Sequence, residues 1–145
     1  MKYKFIVDWL VNYSKEANDK NFVVGVSGGI DSALTSTLCA ETGVDTYVVS
    51  LPIKQGGAEL ARAEEHIQHL TDKYDNVIPL QFELDQLFTE FSKLFEREDE
   101  LVLANSRSRL RMTTLYHIAG LTNSLVVGTG NKVEDFGVGF YTKYG

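Results

Sequence analysis

The sequence has few of the features that mark secreted, fibrous or membrane-spanning chains. Its 145 residues include one cysteine, Cys39, and two prolines, so an intramolecular disulfide is excluded and a paired-cysteine metal or redox motif is absent. No apolar run approaches the roughly 20 residues of a transmembrane helix. The N-terminal segment is broken by Asp8, Asn12 and Lys15 and does not resemble a signal peptide. We therefore expect a soluble, cytoplasmic protein.

Basic residues are also in the minority. The chain has 14 Lys and Arg against 20 Asp and Glu, which gives a net charge of −6. Nucleic-acid binding normally draws on a clustered basic surface, so this balance argues against a nucleic-acid partner. Hydrophobic residues make up 43% and charged residues 23%, the composition of a globular protein. The length suits one domain, residues 1–145, around a single core.

Apolar patterning predicts alternating helices and strands. The predicted strands are 22–26, 46–51, 76–80 and 125–128. The predicted helices are 2–18, a second from about Asp31, a third after Gly56 and Gly57, and two more over about 83–95 and 99–121. Strands joined through helices indicate an α/β fold, a doubly wound parallel sheet of at least four strands with helices on both faces. The C-terminal GVGFYTKYG is predicted as an exposed loop.

Helical spacing also predicts apolar faces for the first two helices. In the first helix, the spaced apolar residues are Phe5, Ile6, Trp9, Leu10 and Tyr13. In the second helix, the predicted face is Ala33, Leu34, Thr37 and Leu38.

Ligands of such sheets bind beyond the carboxyl ends of the strands, and the loop after the first strand has suitable chemistry. The segment GVSGGIDS at 25–32 leaves a strand and opens a helix. Its paired glycines can adopt positive φ, while the free amides and the dipole of the helix attract an anion. We predict that a phosphate chain binds here, with the hydroxyls of Ser27 and Ser32 as further donors.

Asp31 stands near the position where the usual phosphate loop has a lysine. At about 4 Å, a carboxylate and a phosphate charge repel by roughly 4 kcal/mol at an effective dielectric of about 20. A cation must therefore lie between them, and Mg²⁺ binds through one or two carboxylates plus substrate phosphates. The alternative is that Asp31 is the N-cap of an ordinary glycine-rich turn.

Four separated segments resemble a known family. SGGIDS at 27–32 is similar to the pyrophosphatase loop of enzymes that split ATP into AMP and pyrophosphate. The others are NSRSRLRM at 105–112, GTGNKVE at 128–134 and FYTKYG at 140–145. In this order they resemble the ammonia-dependent NAD synthetase family, and the resemblance extends from the first strand to the last residue. It implies a Rossmann-like domain of the ATP-pyrophosphatase type.

The resemblance implies an ATP-dependent carbon–nitrogen ligase. The nicotinate carboxylate of deamido-NAD would attack the α-phosphate of Mg-ATP, and ammonia would then displace AMP. ATP, deamido-NAD and free ammonia are thus the expected partners, Mg²⁺ the expected cofactor, and a homodimer the expected assembly. Members of the family continue past the segment that ends here at Gly145, so the chain is expected to be the N-terminal part of such a protein.

The resemblance also implies binding roles for individual residues, and leaves the catalytic residues unknown. Asp31 and Glu134 are the implied Mg²⁺ ligands, and Arg109 and Lys143 the implied contacts of deamido-NAD. The implied ATP-binding residues are Gly25, Val26, Ser27, Gly28, Gly29, Ile30, Asp31, Ser32 and Thr129.

The residues also allow two other functions. Another adenylating enzyme with this loop, of the tRNA-modifying type, is one alternative, although the acidic balance and the single cysteine count against it. A noncatalytic ATP-binding fragment is the other. Arg107 and Arg111 are interpreted as members of ion pairs, since a period of 3.6 separates them from Arg109 around the helix. His66 and His69 are expected to be solvated and Cys39 to be interior.

Overall fold

The computed structural model describes residues 2–53 and 56–130. Within these residues the helices are α1 (Lys2–Glu16), α2 (Ile30–Glu41), α3 (Gly57–Lys73), α4 (Asp85–Ser92) and α5 (Glu100–Thr122). The strands are β1 (Asn21–Gly25), β2 (Thr46–Ser50), β3 (Val77–Gln81) and β4 (Ser124–Val126). The predicted alternation is confirmed, with α4 shorter than expected. The predicted C-terminal loop lies outside the described residues.

All four strands are parallel, in the order β3-β2-β1-β4. Val23, in the middle of β1, pairs with Tyr47 of β2 and with Val126 of β4. The chain therefore builds outward from β1 to β3 and then returns to the other side of β1. A sheet that reverses direction in this way has a crevice beyond the carboxyl ends of the two strands at the reversal, here β1 and β4.

Side chains of the strands alternate between two apolar layers, as expected for a sheet buried on both faces. On one face, Val23 and Val49 pack with Phe88 of α4 and with Ile118 and Ala119 of α5. The opposite layer is built on α1, α2 and α3 and contains Leu10, Phe22, Val24, Cys39, Val48, Ala63 and Leu70. Helices on both faces of a doubly wound sheet confirm the predicted fold class.

The predicted apolar face of α1 lies mostly outside this core. Leu10 is buried, but Phe5, Ile6, Trp9 and Tyr13 are exposed. The rings of Trp9 and Tyr13 pack on each other with centroids 5.2 Å apart. The helix packs on α2, so only one edge of its apolar stripe reaches the interior of the described chain.

The predicted face of α2 is confirmed at Leu38, which packs against the core, and wrong at Leu34. The buried residues of the helix are small, namely Ser32, Ser36, Cys39 and Ala40, whereas Leu34 is 57% exposed. Small side chains let the helix lie close to the sheet, and the Ser36 hydroxyl donates to the carbonyl of Ser32 at 2.7 Å. A buried serine satisfied in this way avoids the cost of an unpaired hydroxyl. The interior position predicted for Cys39 is confirmed, and burial raises the pKa of its thiol to about 12.

Helix α5 begins with a side-chain cap. The Asp99 carboxylate accepts hydrogen bonds from the backbone N–H groups of Leu101 and Val102 at 3.1 and 3.3 Å. The helix ends at Asn123, which adopts a left-handed conformation with φ of 53°. Both features fix the bounds of the helix that covers β1 and β4. Among the residues that the structure describes, no helix combines the length and apolar character of a membrane span.

Replacing the cap tests its contribution. We expect Asp99→Ala to lower the free energy of unfolding by about 1 kcal/mol, because two backbone donors lose their acceptor. Asp99→Asn retains an acceptor oxygen and should stay within about 0.5 kcal/mol of the parent. Urea unfolding followed by far-ultraviolet circular dichroism measures both. Equal losses in the two variants would mean that the carboxylate charge, rather than the cap hydrogen bonds, stabilises the helix.

Candidate functional site

A cavity of about 1200 Å³ opens at the reversal point of the sheet. The ends of β1, β2 and β4 contribute Gly25, Val49 and Val126, and α5 provides a long wall. Four of the residues predicted to bind ATP line it: Gly25, Val26, Ser27 and Thr129. The cavity thus lies where sheets of this type bind their ligands.

The glycine-rich loop borders the cavity and owes its shape to one glycine. Gly28 has a φ of +94°, which L side chains rarely adopt. A Cβ built on Gly28 would lie 2.4 Å from the backbone oxygen of Glu59, at the start of α3. Gly29 has a φ of −86° and has room for a Cβ, 3.5 Å from the Ser27 hydroxyl. The predicted need for positive φ is therefore confirmed for Gly28 and wrong for Gly29.

The two loop serines bond to the loop itself. The Ser32 hydroxyl accepts from the N–H of Ser27 at 3.2 Å and donates to the carbonyl of Gly29 at 3.1 Å. The Ser27 hydroxyl accepts from the N–H of Gly29 at 3.3 Å and lies 3.2 Å from the Ser32 hydroxyl. Both side chains, predicted as donors to a ligand, thus brace the loop from within. These hydrogen bonds hold the loop in one conformation without a ligand, so less conformational entropy would be lost when a ligand binds.

The first turn of α2 follows directly on this loop. Its N-cap is Gly29, which makes no side-chain cap hydrogen bond. Ile30, Asp31 and Ser32 follow, and their N–H groups belong to the set that an α-helix leaves without intrahelical partners. Such a turn attracts anions through its amides and dipole. The alternative in which Asp31 itself is the N-cap is wrong, because Asp31 is the second residue of the helix.

Asp31 is the one predicted magnesium ligand that lies among the described residues. Asp31 is half-buried in the first turn of α2. No group of three or more His, Cys, Asp or Glu side chains that could hold a metal occurs in the described ranges. Mg²⁺ does not need such a group, because it retains several waters and binds one or two carboxylates together with substrate phosphates. Glu134, the second predicted ligand, lies outside the described residues.

Arg107 and Arg111 line the cavity, whereas Arg109 lies on the exposed side of α5 and is not among the lining residues. Arg107 forms an ion pair with Glu100, as predicted. Its guanidinium also lies over the ring of Phe88, 5.6 Å from the centroid. This stacking holds Arg107 against the wall of the cavity.

The ion pair predicted for Arg111 is not what the described residues show. Its Nε donates to the backbone carbonyl of Leu51 at 3.0 Å, which ties α5 to the end of β2. Burial, followed by the nearby charge of Arg107, lowers the pKa of Arg111, although a guanidinium stays protonated at neutral pH. The sequence offered no signal for this contact, since the two residues are far apart along the chain.

His66 also departs from expectation. It is half-buried on α3, and its Nε2 lies 2.9 Å from the Ser36 hydroxyl. That hydroxyl donates to helix carbonyls, so the hydrogen-bond network assigns the proton to Nε2 of the imidazole. Burial, then the neighbouring His69, lowers the pKa of His66. His69 is exposed, as predicted.

Thr129 is half-buried and follows β4, on the same cavity as Ser27. Lys143, the predicted second contact of deamido-NAD, lies outside the described residues. The structure thus brings together the loop after β1, the loop after β4 and one side of α5.

This fold and site define a doubly wound α/β domain with a glycine-rich loop and a cavity at the reversal of its sheet. The family model of NAD synthase matches residues 2–145. The curated NH₃-dependent NAD⁺ synthetase of Mesoplasma florum is 36% identical over an alignment that covers 100% of this chain and 61% of the relative. That of Saccharolobus solfataricus is 35% identical, with 97% and 50% covered. The chain belongs to the NAD synthase family, as the sequence motifs predicted.

Two solved structures have a fold similar to that of this chain. The NH₃-dependent NAD synthetase of Campylobacter jejuni, in complex with the nitrate ion, matches with a TM-score of 0.88 and 32% identity over 99% of this chain and 61% of its own. The NMN synthetase of Francisella tularensis matches with a TM-score of 0.88, 30% identity, and 99% and 58% covered. This chain therefore spans about half to three-fifths of the length of the relatives it matches.

Gly28→Ala tests the packing of the loop. The variant places a Cβ against the Glu59 carbonyl and forces alanine into a left-handed conformation, which alone costs about 1–2 kcal/mol. We expect a loss of at least about 2 kcal/mol in the free energy of unfolding. Gly29→Ala, the matched control, should change stability by less than about 1 kcal/mol, because its backbone suits alanine. Similar losses in both variants, measured in urea, would contradict this account of Gly28.

Proposed function

We propose that this chain forms part of an ammonia-dependent NAD synthetase, which amidates deamido-NAD at the expense of ATP and releases AMP and pyrophosphate. The observation that carries the proposal is the braced SGGIDS loop at the N-terminus of α2, whose first residue, Ser27, lines the cavity, in a chain from the NAD synthase family. Curated relatives named NH₃-dependent NAD⁺ synthetase support the reaction.

The loop would bind the phosphates of ATP. Its amides and the dipole of α2 favour negative charge, and Thr129 borders the same cavity from the loop after β4. Donors arranged in this way also stabilise charge that develops on a leaving pyrophosphate. Asp31 and Glu134 would hold Mg²⁺, which neutralises phosphate charge and polarises a phosphoryl oxygen when bound.

The cavity has room for two reactants. Ligand pockets usually measure about 300–1000 Å³, and this cavity of about 1200 Å³ exceeds that range. The nicotinate carboxylate would attack the α-phosphorus of ATP, forming an acyl adenylate and releasing pyrophosphate. Ammonia would then attack the carboxyl carbon, lose a proton and displace AMP. Orientation of the reactants supplies much of the rate enhancement for such steps. Lys143 and Arg109 are the proposed contacts of deamido-NAD, and Arg109, which does not line the cavity, would contact a part of the dinucleotide that extends beyond it.

A homodimer is proposed on the apolar surface formed by α4, the connection after it and the first turn of α5. Its exposed apolar residues are Leu87, Phe91, Leu94, Phe95, Leu101 and Val102. Exposed apolar side chains on neighbouring elements are typical of interaction sites. The surface continues into α5, which lines the cavity, so a second copy would lie close to the proposed substrate. A cytoplasmic location is also proposed, consistent with a single buried, reduced cysteine.

Replacing Asp31 tests the nucleotide site. Without Mg²⁺, Asp31→Asn should bind ATP more tightly than the parent, because the repulsion between carboxylate and phosphate is removed. With Mg²⁺, the same variant should bind ATP at least about tenfold more weakly, which corresponds to about 1.4 kcal/mol. Isothermal titration calorimetry measures both constants. Asp75→Asn, an exposed aspartate between α3 and β3, is the matched control and should leave both unchanged.

The same proteins are then supplied with Mg-ATP, deamido-NAD and ammonium, and NAD, AMP and pyrophosphate are measured. Formation of NAD that is lost in Asp31→Asn supports the proposed reaction. ATP binding without any product would favour the noncatalytic fragment. Pyrophosphate release that depends on tRNA would favour the tRNA-modifying alternative, which the relatives do not support. An ATP affinity that changes neither when Mg²⁺ is added nor in Asp31→Asn would contradict the proposed site.

The proposed dimer is tested at Leu94. Leu94→Lys places a charge on the apolar surface of α4 and α5, and we expect it to raise the dimer dissociation constant at least about tenfold. Leu34→Lys, on the exposed side of α2, is the control for surface charge and should have no effect. Sedimentation velocity over a concentration series measures the association. A parent chain that stays monomeric at high concentration, or equal effects of both variants, would exclude this interface.

A further inference from the structure

Arg62 of α3 reaches across to the glycine-rich loop. Its Nε donates a hydrogen bond to the carbonyl oxygen of Gly28 at 3.3 Å. The same helix approaches the loop at Glu59, whose carbonyl lies against Gly28. Helix α3 is therefore the neighbour that fixes this loop from outside, while Ser27 and Ser32 brace it from inside.

No carboxylate within the described ranges lies at ion-pair distance from Arg62. Its side chain is solvent-exposed, and an exposed arginine retains considerable rotamer freedom unless something holds it. Here the Gly28 carbonyl holds the guanidinium at its Nε.

The hydrogen bond fixes the orientation of one peptide plane. The carbonyl oxygen of Gly28 and the N–H of Gly29 belong to the same trans peptide and point in opposite directions. While Arg62 holds the oxygen, the N–H points the other way, towards the Ser27 hydroxyl at 3.3 Å. With glycine on both sides, this peptide could rotate at little steric cost. Rotation would break the hydrogen bond from the Gly29 N–H to the Ser27 hydroxyl and turn a carbonyl oxygen, which repels an anion, to that side of the loop.

We propose that Arg62 is a positioning residue, whose Nε hydrogen bond to Gly28 keeps the Gly28–Gly29 peptide in the orientation that binds the triphosphate of ATP. The inference rests on the proposed function, because it takes the loop as the phosphate site. Arg62 is not among the residues that line the cavity, so it acts through the peptide rather than on the reacting atoms.

Three substitutions separate this role from a general effect of charge. Gln places its Nε2 donor at the position of the arginine Nε and removes the charge. Lys keeps the charge but has a methylene at that position, and Met has neither donor nor charge. We expect Arg62→Gln to bind Mg-ATP within about twofold of the parent, and Arg62→Lys and Arg62→Met to bind about fivefold more weakly, the equivalent of one hydrogen bond. Arg97→Met, another exposed arginine, should have no effect.

Two readouts exclude a merely structural role. Adenosine has no phosphates, so its affinity should be the same in all variants. The amide resonance of Gly29, measured by NMR without any ligand, should match the parent in Arg62→Gln and shift or broaden in Arg62→Met. The proposal would be overturned if Lys but not Gln restored the affinity for Mg-ATP, or if adenosine binding weakened as much as Mg-ATP binding. An unchanged Gly29 resonance in Arg62→Met would also overturn it. A parent chain that does not bind Mg-ATP would instead reject the proposed function, and the NMR comparison still decides the role of Arg62 in the loop.

Discussion

The contact between Gly28 and the start of α3 is the constraint on which the site depends. The Glu59 carbonyl occupies the space that any side chain at Gly28 would need, and Arg62 binds the carbonyl of Gly28 from the next turn of the same helix. Strand β1 leads into the loop, α2 leads out of it, and α3 closes against it. A loop held by three elements keeps its amides oriented before a ligand arrives, so less binding free energy is lost in ordering it.

The close fit of α2 depends on small polar side chains. Ser36 is buried between α2 and α3, donates to carbonyls of its own helix and bonds to His66. Ser32, one turn earlier, connects the helix to the N–H of Ser27 and the carbonyl of Gly29. Larger apolar residues at these positions would push α2 away from the sheet and leave the loop without its internal bonds. The packing of the domain and the shape of the loop therefore rest on the same helix.

Local signals predicted the elements, the parallel sheet and the position of the loop, because apolar period and glycine chemistry are properties of neighbouring residues. The sequence did not predict what depends on distant partners. The apolar period of α2 predicted that Leu34 is buried. Instead Ser36 is buried against the sheet, because its hydroxyl donates a hydrogen bond within its own helix. In the sequence, Arg111 could not be distinguished from a surface arginine. Its hydrogen bond to the Leu51 carbonyl depends on the fold, which brings the two distant residues together. The need for positive φ at Gly28 was predicted correctly. The Glu59 carbonyl, which leaves no room for a side chain there, belongs to a later helix and could not be predicted.

Charge explains why the proposed phosphate site, which contains an acidic residue, would need a cation. A helix N-terminus stabilises a nearby negative charge by about 0.3–1 kcal/mol, and by about 2 kcal/mol in favourable cases. The repulsion between Asp31 and a phosphate at about 4 Å is roughly 4 kcal/mol at an effective dielectric of about 20, so the dipole alone does not offset it. Among the described residues that line the cavity, Glu59, Glu98 and Glu100 outnumber Arg107 and Arg111, and Arg107 is already paired with Glu100. The described protein charges therefore cannot neutralise a triphosphate, so the proposed nucleotide would have to bring a cation with it for this loop to attract it.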